Sequence, residues 1–107
     1  MSITRNFQES IAEKSQQDSK FAEALFDEAI SLLLEGETKT ARLILRDLVN
    51  ATIGFEKLAD KIALPSKSLH RMLSAAGNPT MNNIALILTA LRQELKVDIE
   101  VKVLSTR

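Results

Sequence analysis

Hydrophobic residues recur at spacings of three and four along most of this chain. Residues 20–35, KFAEALFDEAISLLLE, place Phe21, Leu25 and Leu32 on one face of a helix. Phe26 widens that face, and a wide apolar face is typical of a helix that is buried on two sides or contacts a second subunit. The same spacing predicts further helices over residues 39–52, in two short segments within residues 55–73, and over residues 81–95.

Capping residues predict where these helices begin and end. Thr4 is expected to cap a first helix, and the QQDS stretch at residues 16–19 is expected to separate it from the next. Gly36 is expected to end that second helix in the left-handed conformation. Thr38 and Thr80 are expected to cap the helices that follow them.

The stretch AAGNPT, residues 75–80, is a dense turn signal. Gly77 can take a positive φ angle, and Pro79 keeps Asn78 out of helical geometry. The prediction is therefore a sharp change of direction before the last helix.

Residues 55–73, FEKLADKIALPSKSLHRML, read as two short amphipathic helices joined by Ala63, Leu64 and Pro65. Two helices with so short a connection cross steeply, so the small Ala59 favours their close approach. Pro65 suits a helix start, where its missing amide proton costs little. The residues expected to face the core are Leu58, Ile62, Leu69, Met72 and Leu73.

The outer side of the second short helix carries hydroxyl and cationic side chains. Lys67 and Arg71 can reach phosphates or the acceptor edge of guanine, and short serines let the helix lie close to DNA. For His70, a contact to DNA and an idle surface position both stay open. This layout is that of a DNA-binding helix-turn-helix. The predicted DNA-binding residues are Ser66, Lys67, Ser68, His70, Arg71, Lys57 and Asn82.

Charge is distributed unevenly, although the formal net charge is zero. Residues 1–37 contain three basic and eight acidic side chains, and residues 38–107 contain eleven basic and six acidic ones. Such a split favours a nucleic-acid-binding part beside an acidic part, with scatter on solvated faces as the alternative. Residues 38–75 contain seven basic and three acidic side chains, a modest excess that favours binding as a dimer. Arg42 and Arg46 fit either phosphate contacts or plain surface positions.

The stretch NATIGFEKLADKIALPSKSLHRMLSAAGNPTMNNIALILTAL resembles the HigA-like antidote proteins of bacterial addiction modules, in the Xre and lambda-repressor-like superfamily. The resemblance covers about residues 38–95. It implies an all-α, lambda-repressor-like helix-turn-helix bundle that represses its own toxin-antitoxin operon, with a RelE-like ribonuclease toxin as partner. One departure is Ala63, which occupies a turn position where glycine is common in the family.

The C-terminal residues change to a period of two. Val97, Ile99, Val101 and Val103 alternate with charged residues, which predicts a β-strand. A lone strand must find a partner, either its own copy across a twofold axis or another protein's sheet edge. A homodimer is expected, and both partners of the strand stay open.

Two units are predicted along the chain. Residues 1–36 would form an N-terminal helical arm for dimer or partner contact, and residues 37–107 the helix-turn-helix domain with the C-terminal strand. The surface expected to contact a partner comprises Phe21, Leu25, Leu32, Leu33 and residues 97–103.

Several classes of function are not expected. The chain has no cysteine and a single histidine, so neither a thiolate site nor a histidine-rich metal site is predicted. No nucleophile and base are paired by spacing, so we expect no enzyme and no cofactor. The sequence contains neither a signal peptide nor a membrane span, which favours a cytoplasmic protein. The alternative function is a protein-protein interaction module without DNA binding.

Overall fold

The computed structural model describes the backbone of residues 5–106 and the side chains of residues 18–106. Every regular element in this part of the chain is a helix, so the predicted all-α class is confirmed. The helices are α1 (Arg5–Leu34), α2 (Thr38–Ala51), α3 (Phe55–Ile62), α4 (Ser66–Met72) and α5 (Met81–Leu95).

One hydrophobic core joins the five helices. Helix α1 packs along α2, and α3 contacts both α4 and α5. The buried side chains of α1 in this core are Ala22, Phe26 and Ala29, and the two alanines let α1 and α2 lie close together. The buried core residues are Ala22, Phe26, Ala29, Leu45, Leu48, Val49, Ile53, Phe55, Leu58, Leu69, Leu73, Ile87, Ala90 and Leu91.

Helix α1 is continuous, and the predicted break at residues 16–19 was wrong. The QQDS stretch contains neither glycine nor proline, so no backbone amide is lost and no residue there is costly in a helix interior. Thr4, the predicted first cap, lies outside the described residues.

The corner between α1 and α2 is a Schellman motif. Gly36 has a φ of 89°, as predicted, while the Glu37 amide donates to the Leu32 carbonyl at 2.9 Å and the Gly36 amide to Leu33 at 3.2 Å. The predicted cap at Thr38 was wrong, because α2 already includes Thr38 and its N-cap position is occupied by Glu37.

Two further helices end in the same way without glycine. Ala63 (φ 58°) follows α3, and the Leu64 amide donates to the Ala59 carbonyl at 3.2 Å. Lys96 (φ 56°) follows α5, and the Val97 amide donates to Arg92 at 3.1 Å in a matching arrangement. Both positions are left-handed, a conformation that costs a side-chain-bearing residue about 1 kcal/mol. Ala63 therefore takes the left-handed conformation that ends α3, although it is not a glycine.

The connection between α4 and α5 has a helix cap at its second end and a tightly packed glycine nearer its first. Thr80 caps α5 as predicted, since its hydroxyl accepts from the Asn83 amide at 3.1 Å. Gly77 does not have a positive φ, so that prediction was wrong. Glycine is required there for space, because an added Cβ would lie 2.5 Å from the Arg71 carbonyl oxygen and closer still to that of Met72.

The C-terminal tail, residues 97–106, contains no β-strand in the described structure. Val97 packs partly against the core, but beyond it Val103 is 95% exposed. The predicted strand is therefore absent from the single chain, because a strand needs a second strand to receive its hydrogen bonds and the other described elements are helices.

Candidate nucleic-acid interface

Helix α4 has one buried side and one exposed basic side. Leu69, together with Leu73 just beyond the helix, is fully buried. Lys67, His70 and Arg71 are exposed, and their spacing of three and four places them on one face of the helix. These three residues are called the basic face below. Their placement is the arrangement that the sequence predicted for the second short helix.

The two serines of α4 lie at the border of these sides. Ser66 and Ser68 were expected on the outer surface, and the structure leaves both half-buried. Both serines therefore lie on the flanks of α4, between its buried side and its exposed side.

An aromatic stack orients His70. Its ring lies against the ring of Phe55, with centroids 3.9 Å apart and planes inclined by 21°. Phe55 begins α3 and is buried, so the stack links the start of one short helix to the second half of the other. Stacking occupies a face of the imidazole and leaves the nitrogen-bearing edge able to meet a ligand.

Arg42 holds the chain just after α4. Its Nε donates to the Ser74 carbonyl at 3.1 Å and its Nη2 donates to the Ala75 carbonyl at 2.9 Å. For Arg42 the sequence predicted either a phosphate contact or a plain surface position, and neither describes this role. The bonded residues are more than thirty positions apart, and local spacing gave no signal of the contact.

The two predicted DNA contacts outside α4 are both exposed and lie on different helices. Lys57 projects from α3, whereas Asn82, in the first turn of α5, lines a groove against the end of α3. That groove is also lined by Lys61 and Ala63, and by no residue of α4. Lys61 is a cation that the sequence prediction omitted.

Along the sequence, α4 lies within a long stretch that has no negative charge. The sequence has no aspartate or glutamate between Asp60 and Glu94. Within the described part of the chain, the single ion pair joins Arg92 to Asp98 at 3.4 Å. Lys67 therefore has no carboxylate partner among the described residues and is available to an anion outside the chain.

The described residues also contain no cluster of three potential metal ligands from His, Asp and Glu side chains. None of the described helices combines the length and the hydropathy that crossing a lipid bilayer requires. The absence of enzymatic activity stays a prediction from the sequence.

The chain has no match among protein-family models, curated proteins or solved structures. The resemblance of residues 38–95 to HigA-like antidote proteins therefore stays a prediction from the sequence.

Proposed function

We propose that this protein is a sequence-specific DNA-binding transcriptional regulator, in which α3 and α4 form a helix-turn-helix. The observation that carries the proposal is the basic face of α4, exposed while Leu69 and Leu73 on the opposite side are fully buried. A helix held in this way can enter the major groove without giving up its contacts to the core. The proposed fold type is the lambda-repressor-like bundle.

Each predicted contact residue has a defined role in this proposal. Arg71 would bind guanine O6 and N7 with its two guanidinium nitrogens, and Lys67 would neutralise a phosphate. His70 would meet the DNA with the edge of its ring. Lys57 and Asn82, on neighbouring helices, would contact the backbone on either side. The half-buried Ser66 and Ser68 would donate to phosphates where the flanks of α4 meet the DNA.

The more specific role is that of the antitoxin and autorepressor of a type II toxin-antitoxin operon, acting as a cytoplasmic homodimer. It rests on the resemblance of residues 38–95. The RelE-like toxin implied as partner would be basic, and α1 presents the exposed carboxylates of Glu23, Asp27 and Glu28 to a partner of that charge.

A gel-shift titration with the DNA upstream of the gene tests the regulator. We expect a shift at low salt that weakens as salt rises. Lys67→Ala with Arg71→Ala should lower the affinity by about tenfold or more and reduce the salt slope by about one per protomer, since Lys67 is the residue of the two assigned to a phosphate. Lys20→Ala with Lys39→Ala removes the same number of exposed charges and is the matched control. No shift at low salt, or equal losses in both variants, would contradict DNA binding through α4.

The antitoxin role has a separate test. The product of the adjacent gene, expressed with this protein, should be a small basic polypeptide that copurifies with it and arrests growth when expressed alone. Failure of both results would remove the antitoxin role and leave DNA binding standing.

A protein-interaction module is the second candidate. The observation that favours it is the exposure of large apolar side chains on α1, with Phe21 66% and Leu34 65% exposed. For a module of this kind, Lys67→Ala with Arg71→Ala should leave the binding of its protein partner unchanged, and no DNA fragment should shift.

A further inference from the structure

The tail has an apolar side that becomes more exposed along its length. Ile99 is 40%, Val101 58% and Val103 95% exposed. Beyond Val97, the described residues of the tail make no main-chain hydrogen bond to other main-chain groups. Exposed apolar residues beside unpaired amides and carbonyls are a surface suited to β-pairing.

The charged residues of the tail are self-complementary in one antiparallel register. With a twofold axis at Val101, Glu100 of each copy lies opposite Lys102 of the other. On the alternate side, Ile99 lies opposite Val103, and Val101 meets its own copy. Two opposite-charge pairs and three apolar pairs are therefore formed with no like-charge pair.

An axis at any other residue from Asp98 to Lys102 opposes like charges. An axis at Ile99 places Asp98 opposite Glu100 and brings lysines together. An axis at Glu100 pairs Asp98 with Lys102 but sets Glu100 against its own copy. A parallel pairing in register sets every charge against itself, and a parallel pairing out of register does not close as a dimer. A shift by one residue would place charged side chains opposite apolar ones.

We propose that the tail pairs with the tail of a second copy as a two-stranded antiparallel ribbon centred on Val101. The pairing deepens the proposed homodimer by naming its contact, and it does not depend on DNA binding. A two-stranded ribbon alone is marginally stable. Here each strand starts from the body of its protomer, because Val97 packs against the core.

Reversal of single charges tests the register on the full chain, in the absence of DNA. Sedimentation equilibrium should show the unmodified protein as a dimer at about 100 µM. Glu100→Lys and Lys102→Glu should each weaken the dimer by about tenfold, because each creates two like-charge pairs across the ribbon. A 1:1 mixture of the two variants should recover the dimer as a heterodimer, and the doubly substituted chain should recover it as a homodimer.

Asp98→Lys is the matched control, since Asp98 lies opposite Leu104 in this register. Its exposed pair with Arg92 contributes little, so we expect less than a twofold change in dimer affinity. A stronger effect of Asp98→Lys than of Glu100→Lys would move the axis to Glu100 and overturn the proposal. Circular dichroism melting of each variant confirms that the helical body is intact.

The other possible results also decide whether the tail pairing and the proposed regulator stand. A protein that is monomeric at about 100 µM, or a dimer that neither single reversal weakens, would overturn the tail pairing. The charge-reversal pattern without any DNA shift would sustain the tail pairing and remove the proposed regulator. A DNA shift with unchanged dimers in all variants would do the reverse.

Discussion

Helix α4 and the tail both carry apolar residues at regular spacing, but these residues are buried in α4 and exposed in the tail. In α4 the apolar side is buried within the chain, with Leu69 fully enclosed. In the tail the apolar side faces solvent from Ile99 onwards. The charged residues of both segments are exposed.

The two segments differ in where they find the groups that pack against them and pair with their main chain. A helix forms its interior main-chain hydrogen bonds within itself, so its apolar side needs only a surface to pack on, which α3 and the core provide for α4. A strand needs main-chain partners as well, and the five helices of this chain offer none in the described structure. The spacing of apolar residues therefore predicts which side of a segment is packed against something. It does not indicate whether that packing comes from the same chain or from a second one.

The largest expected effect concerns the end of α4. Gly77→Ala should destabilise the fold by about 4 kcal/mol, because the new Cβ would collide with the Arg71 and Met72 carbonyls. Urea unfolding followed by circular dichroism measures this loss. Ala76→Ser, at the exposed neighbouring position, should stay within about 0.5 kcal/mol. Similar values for the two variants would show that the end of α4 is not held at this point.

A second prediction compares the two apolar sides directly. Leu69→Ala should cost about 3 kcal/mol of unfolding free energy, because it leaves a cavity in the core. Val101→Ala should cost less than about 0.5 kcal/mol when unfolding is measured at low protein concentration, where the chain is monomeric. Equal losses would mean that the tail belongs to the core of the single chain.

A third prediction concerns the support of α4 by α2. Arg42→Ala should cost about 1 kcal/mol, because two charge-assisted hydrogen bonds to the chain after α4 are lost. Arg46→Ala on the same helix, where the side chain is exposed, is the control and should be nearly neutral. Thermal unfolding that ranks Arg46→Ala as the more damaging change would rule out the supporting role of Arg42.

The smallest effect should be a stabilisation at the corner before α4. Ala63→Gly should gain about 0.5 kcal/mol or more, because glycine takes the left-handed conformation without strain. Ala24→Gly, at an exposed position inside α1, should lose about 1 kcal/mol by the ordinary cost of glycine in a helix. Two losses would show that the corner differs from the geometry seen here.

Local signals in the sequence predicted much of the fold. Gly36 and Thr80 act within a few residues of their own positions, so their roles could be read from short stretches. The buried side of α4 followed from helical spacing. The predicted break at residues 16–19 failed, because polar residues alone do not end a helix.

The contacts that arrange the candidate site could not be predicted in this way. Arg42 bonds to Ser74 across 32 positions, and Phe55 stacks on His70 only because α3 and α4 pack together. Such contacts depend on tertiary packing, for which a single sequence contains no local pattern. The exposure of Lys67 and Arg71 could be predicted, because it depends only on which side of α4 is apolar.

The Arg42 bonds have a consequence for how this protein can change over generations. Both of them end on main-chain oxygens, at Ser74 and Ala75, so they ask nothing of the side chain at position 75. That exposed position can accumulate substitutions while Arg42 keeps its hydrogen bonds to the chain after α4. Side chains near the basic face can thus change while the position of the main chain at the end of α4 is kept.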